Sequence, residues 1–223
     1  MALLVAKAIV LEIIEKSENE FYVTFFNDKG VLILFAQGLN KQLSKNRSNL
    51  QIGSLVEIEY FSARLKGRIG RLKRVNLLHI FSITSPDTNI FLLKLIKLFK
   101  NLKIPNHIFN FYILNMDKFK KDNLKKYLCV FYAQSSVYFG VKPSFNKCRI
   151  CHQRKNLVDF SILEGGFICS NHNLNDTKNQ EQLLLYWYLY YQPEKYVKLV
   201  SQTENILLLN QLKHIISEAG YYL

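Results

Sequence analysis

The sequence predicts an α+β multidomain protein: a small N-terminal β-barrel, then an α-helical domain that carries a compact metal-binding insert. Three observations predict it. Apolar residues alternate with period two over the first 80 positions and take helical spacing after Pro86. Turn residues divide the first part into five short runs. Four metal-ligating side chains fall as two close pairs between residues 148 and 172. The expected domains are residues 1–83 for the barrel and 86–223 for the helical part, with 148–172 as the metal-binding segment within it.

The five runs are residues 3–14, 21–26, 31–37, 54–62 and 71–83. Asn27-Asp28-Lys29-Gly30 supplies the tight turn of a hairpin between the second and third. Residues 38–50 are a polar interruption. Five strands with an insertion after the third fit the partly open Greek-key barrel called the OB-fold, with an SH3-like barrel as the competing arrangement. From Pro86 onward helices are expected at about 90–102, with Asp87 or Thr88 as N-cap, then at 105–116 and 118–139. The tail reads as helix from about 178 to 191 and again, past Pro193, to 219, with Gly220 as C-cap.

The chain of 223 residues is 49% hydrophobic and 21% charged, a composition that excludes collagen-like, disordered and disulfide-scaffold classes. The longest uninterrupted apolar run is residues 183–191, too short for a spanning helix. The apolar start is broken by Lys7 and Glu12 and reads as a strand rather than a signal peptide. A cytoplasmic location is therefore expected, where clustered thiols indicate metal rather than disulfides.

Charge is distributed unevenly. The formal net charge is +13, and residues 148–223 hold seven basic and seven acidic side chains, so the whole excess lies in the first two thirds. A polyanionic partner is expected there. Arg is concentrated: of seven in the chain, five (Arg47, Arg64, Arg68, Arg71, Arg74) lie within 28 residues. Four of them, Arg64, Arg68, Arg71 and Arg74, make with Lys66 and Lys73 a basic segment that the OB-fold reading places in the connection between strands four and five and the start of strand five, beside the usual oligonucleotide groove. Lys41, Lys45 and Arg47 extend it from the interruption after strand three. The plain alternative is a solvated basic loop. Aromatic residues that can stack on bases (Phe21, Tyr22, Phe25, Phe26, Phe35, Tyr60, Phe61) lie in predicted strands, but alternation alone does not say which face outward. The Lys94, Lys97, Lys100 and Lys103 face of the first helix reads as solvated.

Cys148-Arg-Ile-Cys151 and Cys169-Ser-Asn-His172 offer three thiolates and an imidazole, the donor set of a closed, structural Zn²⁺ site. Gly165-Gly166 gives the second pair freedom to approach the first. His152 competes with His172 as fourth ligand, Cys148 to His152 also spells the haem-attachment pattern, and an unmetallated thiol cluster is the bland reading. Cys129, within an apolar run, reads as a buried thiol. Phosphate-binding, dinucleotide, zinc-protease and serine-hydrolase motifs are absent from the sequence, and no enzyme activity is expected.

The order of parts resembles the bacterial recombination mediator RecO family. The resemblance rests on Gly70-Arg-Leu72, on Ala36-Gln-Gly38 and Ser44-Lys45-Asn-Arg47, on Gly140-Val-Lys-Pro143 leading to Cys148, and on Phe160-Ser161 through Gly165-Gly166 to Cys169. It covers essentially the whole chain. It implies an OB-fold and a helical domain with a zinc segment. It also implies binding of single- and double-stranded DNA, annealing of strands coated with single-strand-binding protein (SSB), and loading of RecA together with RecR and, in some members, RecF. Contact with the acidic C-terminal tail of SSB is part of the same expectation. Two departures stand out: Gln37 to Asn40 replace a cationic motif after strand three, and His172 stands where Cys is usual. The alternatives from other classes are a zinc-containing OB-fold RNA-binding protein of ribosome assembly or translation, and a scaffold with an incidental basic surface.

Overall fold

The computed structural model describes residues 2–63, 65 and 67–222, in two compact units, Met1–Lys118 and Phe119–Leu223. The first contains β1 (Leu3–Ser17), β2 (Glu20–Asn27), β3 (Gly30–Gln37), α1 (Lys45–Asn49), β4 (Leu55–Phe61), β5 (Gly70–His79), α2 (Pro86–Lys100) and α3 (Ile108–Asn115). Its five strands close in the order β1-β2-β3-β5-β4. β1 serves two neighbours: Leu3 to Ile9 pair with β4, and Ile9 to Ser17 pair with β2. β3 and β5 meet in parallel only at Leu34↔Gly70 and Phe35↔Arg71. This is the OB-fold arrangement.

Alternation builds the barrel core. Val10, Phe21, Val23, Phe25, Leu34, Ile58, Leu72 and Val75 point inward, and Leu39 and Leu50 join them from the connection after β3. Each such side chain contributes about 1.5–3 kcal/mol on burial. The polar interruption holds α1, a single short turn that the sequence pattern does not announce. Where β3 diverges from β5, α1 takes its place: Asn46 Nδ2 donates to Lys73 O (3.2 Å), Asn46 Oδ1 accepts from Val75 N (2.9 Å), and Asn49 Nδ2 donates to Val75 O (2.7 Å). Two amide side chains thus complete the hydrogen bonding of an otherwise open strand edge.

The next two helices pack on the outside of this barrel. Phe26, on the outer face of β2, stacks on Phe99 of α2 at 4.5 Å and meets Phe109 of α3 edge-on at 6.3 Å. Tyr112 of α3 is fully buried and its hydroxyl donates to Gly53 O at 2.7 Å. The hairpin turn rests against the segment after α2, with Val31 N donating to Leu102 O at 3.1 Å. Gly30 has φ +105, and a Cβ there would come within 2.8 Å of Leu102 O. The change of period at Pro86 therefore marks a change of secondary structure, whereas the edge of the compact unit lies at Lys118. Leu92, Leu95 and Phe99 of the apolar face of α2 are buried, Phe99 against β2 and Leu92 beside Gly53 in the connection before β4. The N-cap of α2 is Ser85, whose Oγ accepts from Thr88 N, with Pro86 at the first helical position; Asp87 and Thr88, expected as caps, lie inside the first turn.

The second unit contains α4 (Leu124–Ser136), β6 (Leu157–Ser161), β7 (Gly166–Cys169), α5 (Gln180–Tyr191), α6 (Pro193–Leu199) and α7 (Gln202–Glu218). α4 is buried nearly all round among α5, α6 and α7. The last predicted helix is two. Val200 is extended, and Ser201 caps α7 through its Oγ to Glu204 N (3.2 Å). Ser201-x-x-Glu204 is a capping sequence that the apolar periodicity across it masks. Cys129 is buried beside Tyr196, whose hydroxyl proton is shared between Asn205 Oδ1 (3.0 Å) and Cys129 Sγ (3.2 Å). Among the described residues no helix is long and apolar enough to cross a membrane.

Candidate nucleic-acid interface and metal centre

The two-residue turn between β2 and β3 fixes their register and sets Tyr22 opposite Phe35. Phe21, Val23 and Phe25 occupy the core, so Tyr22 faces out, and so does its partner. Their rings meet edge to face at 6.1 Å, and Lys16 Nζ lies 5.5 Å from the Tyr22 centroid. Phe35 is in register with Arg71, and Arg71 with Phe61 across β4. The outer surface thus carries a row running Tyr22, Phe35, Arg71, Phe61. Gly70 allows the crowding, since a Cβ there would come within 2.6 Å of Phe61 O. A recess of about 440 Å³ is lined by Tyr22, Phe35, Gly67, Arg68, Ile69, Gly70 and Arg71. Arg71 is steadied by Gln37, whose Oε1 accepts from its guanidinium at 2.9 Å. Gln37 belongs to the stretch that departs from the family's cationic motif, and here it positions a cation supplied by β5.

A second recess, about 580 Å³, lies between α1 and β5 and includes Ser44, Lys45, Asn46, Asn49, Lys73 and Arg74. The basic residues singled out in the sequence therefore divide. Arg68 and Arg71 line the aromatic recess; Lys45, Lys73 and Arg74 line the polar one. Lys73 also pairs with Glu59 at 3.2 Å. Arg47 is exposed, and its guanidinium donates to Asn40 O at 3.4 Å. Lys41 is exposed with its stem beside Gly38. Arg64 and Lys66 lie outside the described residues. Sequence reasoning missed Tyr22 and Phe35 as an outward pair, although the hairpin register carried the signal.

In the second unit, β6 and β7 form a hairpin that carries Cys169 back towards the turn after Cys148. The turn at Gly165 and Gly166 packs against Ser144, which bridges to Gly166. One ligand atom from each of Cys148, Cys151, Cys169 and His172 lies within 4.8 Å of every other. Cys151 Sγ is 3.7 Å from Cys169 Sγ, and His172 Nδ1 is 3.3 Å from Cys169 Sγ and 3.9 Å from Cys148 Sγ. Tetrahedral coordination with metal–sulfur bonds of about 2.3 Å implies sulfur–sulfur edges of about 3.8 Å and slightly shorter sulfur–nitrogen edges, so the cluster can hold one metal ion. His152 stands apart, exposed and in the left-handed region at φ 61. Burial pushes the Cys148 thiol up, but backbone N–H groups of Cys151, Cys169 and Ile150 and the Cys169 side chain outweigh it and bring the thiol down to about 6. Donors aimed at sulfur are what a metal-binding thiolate requires.

These parts define a class: OB-fold proteins followed by a helical unit that carries a Cys3His cluster able to hold one metal ion. The chain belongs to the recombination protein O family, whose N-terminal model matches residues 1–81 and whose C-terminal model matches residues 104–218. Among its relatives, the DNA repair protein RecO of Bacillus mycoides (strain KBAB4) is 51% identical over 37 residues, a stretch that is 17% of this chain and 15% of that protein. The DNA repair protein RecO of Bacillus cereus (strain B4264) matches to the same extent. Among solved structures, the asparaginyl-tRNA synthetase of Entamoeba histolytica overlays 63% of this chain and 33% of its own at TM-score 0.30 and 10% identity, too little likeness to bear on fold or function.

Proposed function

We propose that the protein is a mediator of DNA repair and homologous recombination that binds single- and double-stranded DNA and anneals complementary strands coated with SSB. Within the same reading it helps load RecA together with RecR, with RecF as a further partner, and does so as a nucleoid-associated cytoplasmic protein without enzyme activity of its own. The observation that carries the reading is the outward aromatic pair Tyr22 and Phe35, flanked by Arg68 and Arg71, on an OB-fold barrel of this family.

The chemistry follows from the residues. Bases have apolar faces and a charged backbone, so a groove for a single strand needs stacking surfaces beside cations. Stacking of one base on an aromatic ring is worth about 1–3 kcal/mol, and it tolerates any sequence because every base has a π-face. Arg68 and Arg71 would hold the neighbouring phosphates, releasing counterions and making binding salt-dependent. Lys45, Lys73 and Arg74, across the second recess, would hold a second stretch of backbone. Two phosphate chains repel each other in solution, and a surface that neutralises both lowers the barrier to pairing. In the helical unit the four-ligand cluster would hold Zn²⁺, which with three Cys and one His leaves no open position and supports the fold only. The C-terminal tail of SSB and RecR are the protein partners of this reading.

The test is the annealing rate of complementary strands precoated with cognate SSB, with and without the protein. SSB blocks spontaneous pairing, so acceleration reports more than basic charge. Acceleration is expected, and Tyr22→Ala combined with Phe35→Ala should reduce it while weakening binding to an oligonucleotide roughly tenfold or more, the loss of at least one stacked base. No acceleration by the folded, metal-loaded protein, together with a preference for structured RNA, would refute the proposal and favour RNA binding.

A further inference from the structure

The neutral sum of residues 148–223 conceals a segregation of charge. Its seven cations and seven carboxylates cancel in number but not in place. Four of the acids, Glu181, Glu194, Glu204 and Glu218, are on α5, α6 and α7. Asp159 is buried and paired with Lys178. The stretches that hold the candidate metal ligands, residues 144–158 and 166–175, contain no carboxylate; Glu164 lies in the turn between β6 and β7, and Asp176, which is exposed, follows the second stretch directly. The two stretches contain Lys147, Arg149, Arg154 and Lys155. Among the described residues none of these four has an ion pair, whereas Lys73, Lys100 and Lys178 do.

The loops are also tied into one surface. Ser170 N donates to Asn156 O (2.9 Å), so the second knuckle lies against the end of the first loop. Cys148 N donates to Gln153 O (2.7 Å), which folds that loop back on itself, and His152 and Asn156 take left-handed conformations to allow it. Arg154, Lys155, Asn156, Ser170 and Asn171 are exposed together at this tip. Arg149 contributes less, because its side chain lies beside Gly165 in a recess shared with Glu164 and Glu218.

We infer that the metal knuckle is a second nucleic-acid contact, in which Arg154 and Lys155, with Asn156, Ser170 and Asn171 beside them, take the phosphate and sugar groups of a DNA backbone. The inference rests on the function proposed above, because it supplies that function's ligand with a site outside the barrel. Guanidinium, ammonium, amide and hydroxyl donors are the groups that position a phosphodiester chain, and here they outnumber the one exposed acid next in sequence, Asp176. An acidic peptide fits less well, since it would need an apolar cleft to anchor it, and among the described residues the large apolar side chains exposed in these two stretches are Ile150 and Leu174. A metal ion held by the four ligands would brace both loops at their bases, so less entropy would be lost when a backbone docks.

The test uses the full metal-loaded chain and a single-stranded oligonucleotide titrated at several salt concentrations. Arg154→Ala with Lys155→Ala should weaken binding roughly tenfold at ~0.1 M salt and make the log–log salt slope shallower by about 1.4, two phosphate contacts on a single strand. The charge-conserving swap Arg154→Lys with Lys155→Arg should keep the slope of the parent protein, and metal content and melting temperature should stay unchanged in both variants. An unchanged slope in the alanine pair, while Arg68→Ala with Arg71→Ala flattens it, overturns the knuckle site and leaves the barrel reading standing. The reverse pattern sustains the knuckle and removes the barrel groove. Binding of a poly-glutamate peptide that Arg154→Ala abolishes, with oligonucleotide binding untouched, would assign the tip to a protein and overturn the inference. Failure of the parent protein to bind any oligonucleotide overturns both readings.

Discussion

Cys148 is the residue on which the second unit turns. It is fully buried, its sulfur faces Cys169, His172 and several backbone N–H groups, and its own N–H fixes the knuckle through Gln153. A metal ion at this cluster links the first loop to the β6–β7 hairpin, and binding of zinc to such sites is worth on the order of 10 kcal/mol. Cys148→Ser should lower metal content from one ion per chain to none and lower the melting temperature of the helical unit, while intrinsic oligonucleotide binding by the barrel falls less. A strong chelator should reproduce the shift in the parent protein and leave the variant unaffected; equal melting curves with and without chelator would show that no stabilising metal is held. The spacing in the sequence named Cys148, Cys151, Cys169 and His172 as candidate ligands, with His152 as competitor, and the structure gathers one donor atom of each of those four within 4.8 Å of one another. The competition between the two imidazoles was not legible in spacing alone, because it is the folding of the chain after β7 that brings His172 Nδ1 beside the Cys169 and Cys148 sulfurs.

At the scale of the element, the five barrel strands were legible because each has one face in a core and period two survives in its residues, whereas β6 and β7, at five and four residues, are too short to show it. α1 was not legible either. Its five residues, Lys-Asn-Arg-Ser-Asn, bury no side chain, so no periodicity could mark it. What it contributes is hydrogen bonding, and that yields a sharp expectation. Asn46→Ala would leave the Val75 N–H and the Lys73 carbonyl without their partner, at a cost of about 1–3 kcal/mol. Asn46→Asp keeps the acceptor for Val75 N–H and should cost less. Urea unfolding of the two variants checks this, and equal stability for both would mean that water replaces the amide at no cost. The break between α6 and α7 is the opposite case: Ser201 and Glu204 announced it, and the continuous apolar spacing around them concealed it. Helix α2 was legible as amphipathic and α3 as helical, but neither as part of the barrel unit, since a sequence shows that a face is apolar and not what covers it.

For the molecule as a whole, the aromatic and thiol content that builds both units also sets an alkaline limit. Burial pushes the hydroxyls of Tyr112 in the first unit and of Tyr190 and Tyr196 in the second far above the usual phenol range. Burial raises Tyr132 and Tyr186 to about 12, with Asp159 and Glu204 adding to the effect on Tyr186. Cys129 is raised from 9.0 to about 12 by burial, partly offset by the Tyr196 hydroxyl. For each of these acids the folded state holds its proton more tightly than the unfolded state does. Their contribution to stability is therefore complete below the unfolded pKa and is lost as pH rises towards the folded one, by up to about 1.4 kcal/mol per pH unit for each group. Thiols ionise before phenols in the unfolded chain, so the loss between about pH 9 and 10 should come first from Cys129. Cys129→Ser keeps an acceptor for Tyr196 and has no proton to lose in this range. Its stability should be flatter than that of the parent between about pH 9 and 10 and should fall in parallel with it above that, where the tyrosines take over. Chemical denaturation at intervals across this range reads the difference directly; parallel curves from pH 9 upward would mean that Cys129 is already ionised, or already exposed, in the folded protein.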